Sequence, residues 1–191
     1  MAAHGLLLAA GAGRRMGGPK ALVTDADGTS WLARSVRTLL DGGCDAVTVV
    51  LGAGAEDARA HLVDLDVETV VADDWADGMG ASLRAGLQAL RGEPLAVVSL
   101  VDLPDVGPPV VRRLLEVGAD PGLLARAAYD GRPGHPVLLG REHWPAIIDQ
   151  ASGDTGARDY LAEHAVMLVE CGDLATGRDQ DRPTPGQHAA D

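Results

Sequence analysis

The sequence predicts an α/β fold, a mostly parallel sheet with helices on both faces. Three observations carry that prediction. Apolar runs of strand length recur at residues 6–10, 46–51, 67–72 and 95–101. Between them lie segments with apolar residues at helical spacing, and strands that alternate with helices pack as a parallel sheet. The first run empties into a glycine-rich, basic loop, and such sheets bind ligands at the carboxyl ends of their strands.

In chain order, residues 21–23 read as a short extended piece and 25–29 as a turn. Thr29 or Ser30 caps a helix that puts Leu32, Val36, Leu39 and Leu40 on one face, and Gly42-Gly43 ends it. A short helix over 55–62 follows the second strand. After the third, the acidic loop 73–77 leads to Gly78-Met79-Gly80-Ala81-Ser82, where Ser82 is placed to cap a helix aligning Leu83, Leu87 and Leu90. Pro108-Pro109 opens another helix, with Val110, Val111, Leu114 and Leu115 inward.

The last third changes character. Residues 123–129 and 137–139 read as two strands of a small β-hairpin joined by a Gly/Pro loop over 130–136. Helices over 141–150 and through Leu161 follow, then a final strand over 165–169. Past Gly172 the chain is polar and Pro-rich. The expectation is one domain over 1–182 and a disordered tail over 183–191.

Composition narrows the class. Apolar residues make up 46% of the 191, but aromatics only 3% with no Phe, so the core must be built from Ala, Val and Leu. A formal net charge of −12 argues against a nucleic-acid partner. No run approaches a membrane span and no secretory leader is legible, so the expected location is cytoplasmic, without membrane contact. Cys44 and Cys171 have neither metal nor framework spacing and read as reduced, buried thiols.

On so acidic a chain the loop 11–20 stands out. It holds Gly11, Gly13, Gly17, Gly18, Arg14, Arg15 and Lys20, the last being the only lysine in the sequence. Glycines let backbone N–H groups close on an anion, while the cationic side chains neutralise it. The Walker spacing fails, because Pro19 intervenes and Ala21 replaces the metal-holding hydroxyl. The dinucleotide fingerprint fails too, its third glycine falling one residue late at Gly17.

The run from Leu8 and Ala9-Ala10 through Gly11, Gly13, Arg15 and Met16 to Pro19-Lys20 resembles the signature of MobA-like nucleotidyltransferases. Within them it is similar to the molybdenum cofactor cytidylyltransferase type. The resemblance implies a Rossmann-like nucleotidyltransferase fold and Mg²⁺-dependent transfer of a nucleoside monophosphate from an NTP to a small phosphorylated acceptor, with release of pyrophosphate. It implies catalytic roles for Lys20 and Arg15, and nucleotide contacts from Leu8, Ala9, Ala10, Gly11, Gly13, Arg14 and Gly17. Gly78 to Ser82 resembles the stretch facing base and ribose, which adds Gly80, Ser82 and Asp73. Asp102, in Asp102-Leu103-Pro104 after an apolar strand, matches the metal-binding aspartate.

A second metal aspartate is sought in Asp179-Gln180-Asp181-Arg182-Pro183, where Asp181 is the first choice and Asp179 the second. Arg182 stands where threonine is usual in this segment. Gly134-His135-Pro136 and Gly153 to Arg158 resemble acceptor-side motifs, which makes His135, Asp154 and Arg158 acceptor contacts. Ala9-Ala10 resembles the form that favours CTP. A molybdopterin-type acceptor is implied, with a molybdoenzyme or cofactor-pathway protein as partner. Two alternatives stay open, a transferase acting on a sugar phosphate or other small phosphate, and a catalytically silent nucleotide- or cofactor-binding module.

Overall fold

A computed structural model describes residues 3–184 and 187–189. Its main sheet has seven strands in the order β4-β3-β1-β5-β7-β6-β8. These are β1 (Ala3–Leu8), β3 (Ala46–Leu51), β4 (Glu68–Val71), β5 (Leu95–Leu100), β6 (Leu124–Tyr129), β7 (Arg132–Gly140) and β8 (Met167–Glu170). β4, β3, β1 and β5 run parallel, and β8 runs parallel to β6. β7 lies antiparallel between β5 and β6. The result is the mostly parallel, Rossmann-like arrangement that the sequence predicts.

Alternation along β1 explains the two layers. Leu7 joins α1 (Trp31–Asp41), α4 (Pro108–Leu115) and Ala58 of α2 (Ala55–Ala60) in one apolar cluster. Leu6 and Leu8 join α3 (Met79–Ala89), α5 (Trp144–Gln150) and α6 (Arg158–Ala162) in the other. Leu6 and Leu7 are fully buried. The few aromatics are spent as plugs, with Trp31 inside the first layer and Trp144 inside the second. α1 begins where the sequence places it, since Ser30 Oγ accepts from Ala33 N at 3.3 Å. Both cysteines are free and buried, and burial, then Asp45, pushes the Cys44 thiol up to about 12.

Three expectations are corrected. α3 starts at Met79, so Ser82 lies inside the helix and caps nothing. β7 begins at Arg132, and most of the anticipated 130–136 loop is strand. The ladder shifts between Arg126↔Val137 and Ala128↔Pro133, a bulge that holds Gly134-His135-Pro136. This stretch lies beyond the four residues of β7 that pair with β5, so glycine and proline disrupt no second ladder. The third correction concerns the tail, where β9 (His188–Ala189) pairs antiparallel with β2 (Val23–Thr24). Residues 185, 186, 190 and 191 of that tail lie outside the described residues.

Candidate active site

β1 and β5 are hydrogen-bonded neighbours whose carboxyl ends deliver a loop and a carboxylate to the same edge. After β1, Ala53 N bonds Ala10 O at 3.0 Å, so Ala9 and Ala10 stay buried at the strand end. The loop then folds on itself. Gly13 has φ +56°, and a Cβ there would lie 2.0 Å from Gly18 O, a place only glycine can take. Met16 and Gly17 donate to Gly13 O at 2.8 and 3.1 Å, and the buried Met16 side chain pins the loop to the core. Arg14 and Arg15 are left exposed above it.

Asp102 sits just beyond β5 and is buried. Gln180 N bonds Asp102 O at 2.9 Å, which draws the C-terminal segment across the strand end. Asp102, Asp179 and Asp181 thereby bring one carboxylate oxygen each within 4.8 Å of one another. Lys20 Nζ donates to Asp102 Oδ2 at 2.5 Å and to Asp181 Oδ1 at 2.6 Å. Arg15 Nη1 reaches Asp181 Oδ2 at 2.5 Å. Burial pulls the Lys20 ammonium down, but its bonds to Asp102 and Asp181 outweigh that and its pKa is raised. The bond from Lys20 holds Asp181 below the usual carboxylate value.

The donor set fits a divalent cation. It consists of hard carboxylate oxygens, the kind that magnesium and manganese take. Asp102 Oδ1 is buried and has no hydrogen-bond partner, which is costly for a carboxylate unless a ligand satisfies it.

Two hollows flank this cluster. One, of about 610 Å³, is lined by residues 8–16, Lys20, Trp75, Ser82, Asp102 and Asp181 among others. The second, of about 350 Å³, contains Arg126, His135, Arg158 and Asp179. Leu8, Met79, Leu100 and Asp154 border both. Half-buried His135 has its pKa depressed to about 4 by burial and by Arg126 and Arg158, against the opposing charge of Asp179.

Of the residues picked from sequence, Leu8, Ala9, Ala10, Gly11, Gly13, Arg14, Arg15, Lys20, Ser82, Asp102 and Asp181 meet at the larger hollow. His135 and Arg158 meet at the smaller, and Asp154 lies between. Three do not line either. Gly17 is exposed behind the loop, and Asp73 is exposed one residue before Asp74, which pairs with Arg84 at 2.7 Å. Gly80 faces Ser152, whose backbone N would lie 2.6 Å from an added Cβ. Its smallness therefore seats the 152–154 turn. Sequence reasoning missed Trp75 and Arg126. Arg126 did leave a signal, as the one charged residue of the otherwise apolar strand Leu124–Tyr129.

Residues 5–167 match the family described as the MobA-like NTP transferase domain. The chain belongs to that family. A nicotine blue oxidoreductase of Paenarthrobacter nicotinovorans is 41% identical over 189 residues, covering 93% of this chain and 91% of the relative. The Mycobacterium tuberculosis H37Rv protein Rv0371c, solved in complex with manganese, is 26% identical with a TM-score of 0.76, over 94% of each chain. A nucleotidyl transferase from Methanothermobacter shares the fold, with 24% identity and a TM-score of 0.77 over 89% and 87% of the two chains. Among the described residues no helix is long and apolar enough to cross a membrane.

Proposed function

We propose that this member transfers a nucleoside monophosphate from an NTP, CTP by first choice, to a small phosphorylated acceptor of the molybdopterin type. The observation that carries the reading is the Lys20–Asp102–Asp181 cluster, with its orphaned Asp102 Oδ1, in the larger hollow, with Asp179 of the same carboxylate group on the smaller. The larger takes the NTP and the smaller the acceptor. An acceptor phosphate oxygen attacks the α-phosphorus, the bond to the β-phosphate oxygen breaks, and pyrophosphate leaves. No side-chain nucleophile is needed, because alignment and charge neutralisation supply most of the rate.

Backbone N–H groups of 11–18 and the exposed Arg14 and Arg15 hold the phosphates, and Lys20 neutralises charge on the triphosphate. Asp102, Asp179 and Asp181 are the residues to hold Mg²⁺ or Mn²⁺. Bound there, such an ion supplies charge stabilisation to the phosphoryl oxygens. The product's destination, on this reading, is a cytoplasmic molybdoenzyme or cofactor-pathway protein. The CTP preference rests on Ala9-Ala10, and Ala10→Gly should lower the CTP/GTP ratio of kcat/KM.

A second reading, two-electron reduction of an aromatic dye by a reduced nicotinamide or flavin donor, is favoured by the name of the 41% relative alone. One experiment separates them. Purified protein is supplied with CTP, GTP or ATP, Mg²⁺ and a panel of phosphate monoesters, and pyrophosphate is measured beside oxidation of reduced nicotinamide in the presence of dye. Metal-dependent pyrophosphate release supports transfer. Nicotinamide oxidation without pyrophosphate overturns it in favour of reduction, and tight NTP binding with neither product marks a silent module.

A further inference from the structure

Asp179 and Asp181 reach the carboxylate cluster on residues 175–187, a stretch whose described residues form no helix or strand. Backbone that no ladder holds must be fixed by other contacts, or its side chains spread over many positions. Upstream, Asp105 Oδ2 accepts from Thr176 N and from Thr176 Oγ1, each at 2.6 Å, and Gln180 N reaches Asp102 O. Asp181 itself is engaged at both oxygens, Oδ1 by Lys20 and Oδ2 by Arg15. Those are the oxygens a cation would take, so the two ion pairs cannot be what presents Asp181 to one.

Downstream, the hold comes from a single side chain. Gln187 Oε1 accepts from Gln180 Nε2 at 2.6 Å and from Thr184 N at 2.9 Å, while Gln187 N donates to Thr184 O at 3.0 Å. Residues on either side of Asp181 are thereby tied to one amide, and neither Asp181 oxygen is spent. Gln187 Nε2 then donates to Asp25 Oδ1 at 2.9 Å. The ladder between β2 and β9 pairs Thr24 with His188, which brings Asp25 and Gln187 side by side.

Asp25 is a firm anchor. It accepts from Trp31 Nε1 at 2.8 Å and pairs with Arg34, and Trp31 is fully buried. Burial pushes the Asp25 pKa up, but the bonds from Trp31, Gln187 and Arg34 outweigh it and hold the carboxyl below its ordinary value. Glutamine suits position 187 because its amide carries an acceptor and donors together. A glutamate there would keep the acceptor but set a second carboxylate against Asp25.

We infer that Gln187 is a positioning residue, latching the C-terminal segment to Asp25 so that Asp181 stands at the cation site with both oxygens available. The inference rests on the transfer reading only in taking Asp181 as a ligand of the cation. The core reaches the site through Trp31, Asp25, Gln187 and Gln180 in turn.

The test uses the full chain, Gln187→Glu and Gln187→Ala, with Mn²⁺ as the probe. Mn²⁺ affinity, read by calorimetry without nucleotide, should fall about tenfold or more in each, the scale of losing a hydrogen bond to a charged group. CTP affinity without metal should hold or rise, because Lys20 and Arg15 are released from Asp181. Hydrogen exchange over residues 176–184 should quicken about tenfold or more, while exchange over 31–41 stays as in wild type.

Mn²⁺ affinity within about twofold of wild type in both variants, or unchanged exchange over 176–184, overturns the latch. So does a parallel fall in Mn²⁺ and metal-free CTP affinity with faster exchange over 31–41, the mark of a general loosening. Failure of the cation reading looks different: wild type takes no Mn²⁺, while both variants still quicken exchange over 176–184 alone.

Discussion

The two hollows handle charge in opposite ways. Around the larger one, Lys20 and Arg15 already hold carboxylates, so a triphosphate must compete with Asp102 and Asp181 for them. Around the smaller one, Arg126 and Arg158 have no such partners among the described residues. An anion bound on the first side would exchange one set of ion pairs for another, whereas on the second Asp154 and Asp179 share the lining with the two arginines without pairing with them among the described residues. That difference teaches where specificity comes from. On the proposed reading, exchange would make the first side dependent on a cation, while the second side would select by the shape and sign of what enters.

The comparison breaks most sharply at Asp102. Asp102→Asn keeps the shape but removes the charge, and transfer should fall about a thousandfold, as when a key electrostatic group is lost. Manganese binding, read by calorimetry, should disappear with it, and thermal stability should fall, because Lys20 loses one of the two carboxylates that hold it. A variant retaining its metal would place the cation elsewhere.

Lys20→Ala sharpens the exchange. NTP affinity should drop about tenfold to a hundredfold, the range for a hydrogen bond to a charged group. Manganese affinity measured without nucleotide should move the other way and rise, because Lys20 Nζ now bridges the carboxylates that a metal would take. A fall in both would mean that Lys20 supports the metal rather than competing with it.

At the smaller hollow the expected effect is smaller and depends on pH. His135 has a folded pKa near 4, below its ordinary 6.5, with Arg126, Arg158 and Asp179 as the charges facing it. The unfolded chain therefore binds the extra proton first, so stability is intact above 6.5 and is lost as pH falls toward 4. Urea unfolding between pH 7 and 4.5 should show a shallower decline in His135→Gln. The smallest effect is expected at Asp73, where Ala should leave NTP affinity within about twofold, as for surface changes away from any site.

The same contrast explains what was legible in the sequence. The loop 11–20 is one contiguous stretch whose glycines and cations announce themselves, and Asp102 follows directly from a strand end. The smaller hollow is assembled from β6, a bulge in β7 and the turn before α6, pieces joined only by folding. Gly134 and Pro136 read as a loop because local turn chemistry cannot reveal that the strand has one free side there. Ser82 read as a cap because serine favours that position, yet Gly78 starts the helix and Ser82 is buried one turn inside. Arg126 was visible but unassigned, since its partner, the Gly134 carbonyl, exists only because of the bulge.

Lys20 has a further consequence for the bench. It is the only lysine in the sequence, and in the fold its amine is held as an ammonium between Asp102 and Asp181, with 17% of the side chain exposed. Acylating reagents need the free amine, so they should spare it until something draws it away from the two carboxylates. Intact-mass spectrometry after a brief acylation then reports the state of the site by whether a second adduct joins the one on the α-amine, with no substrate analogue and no engineered label.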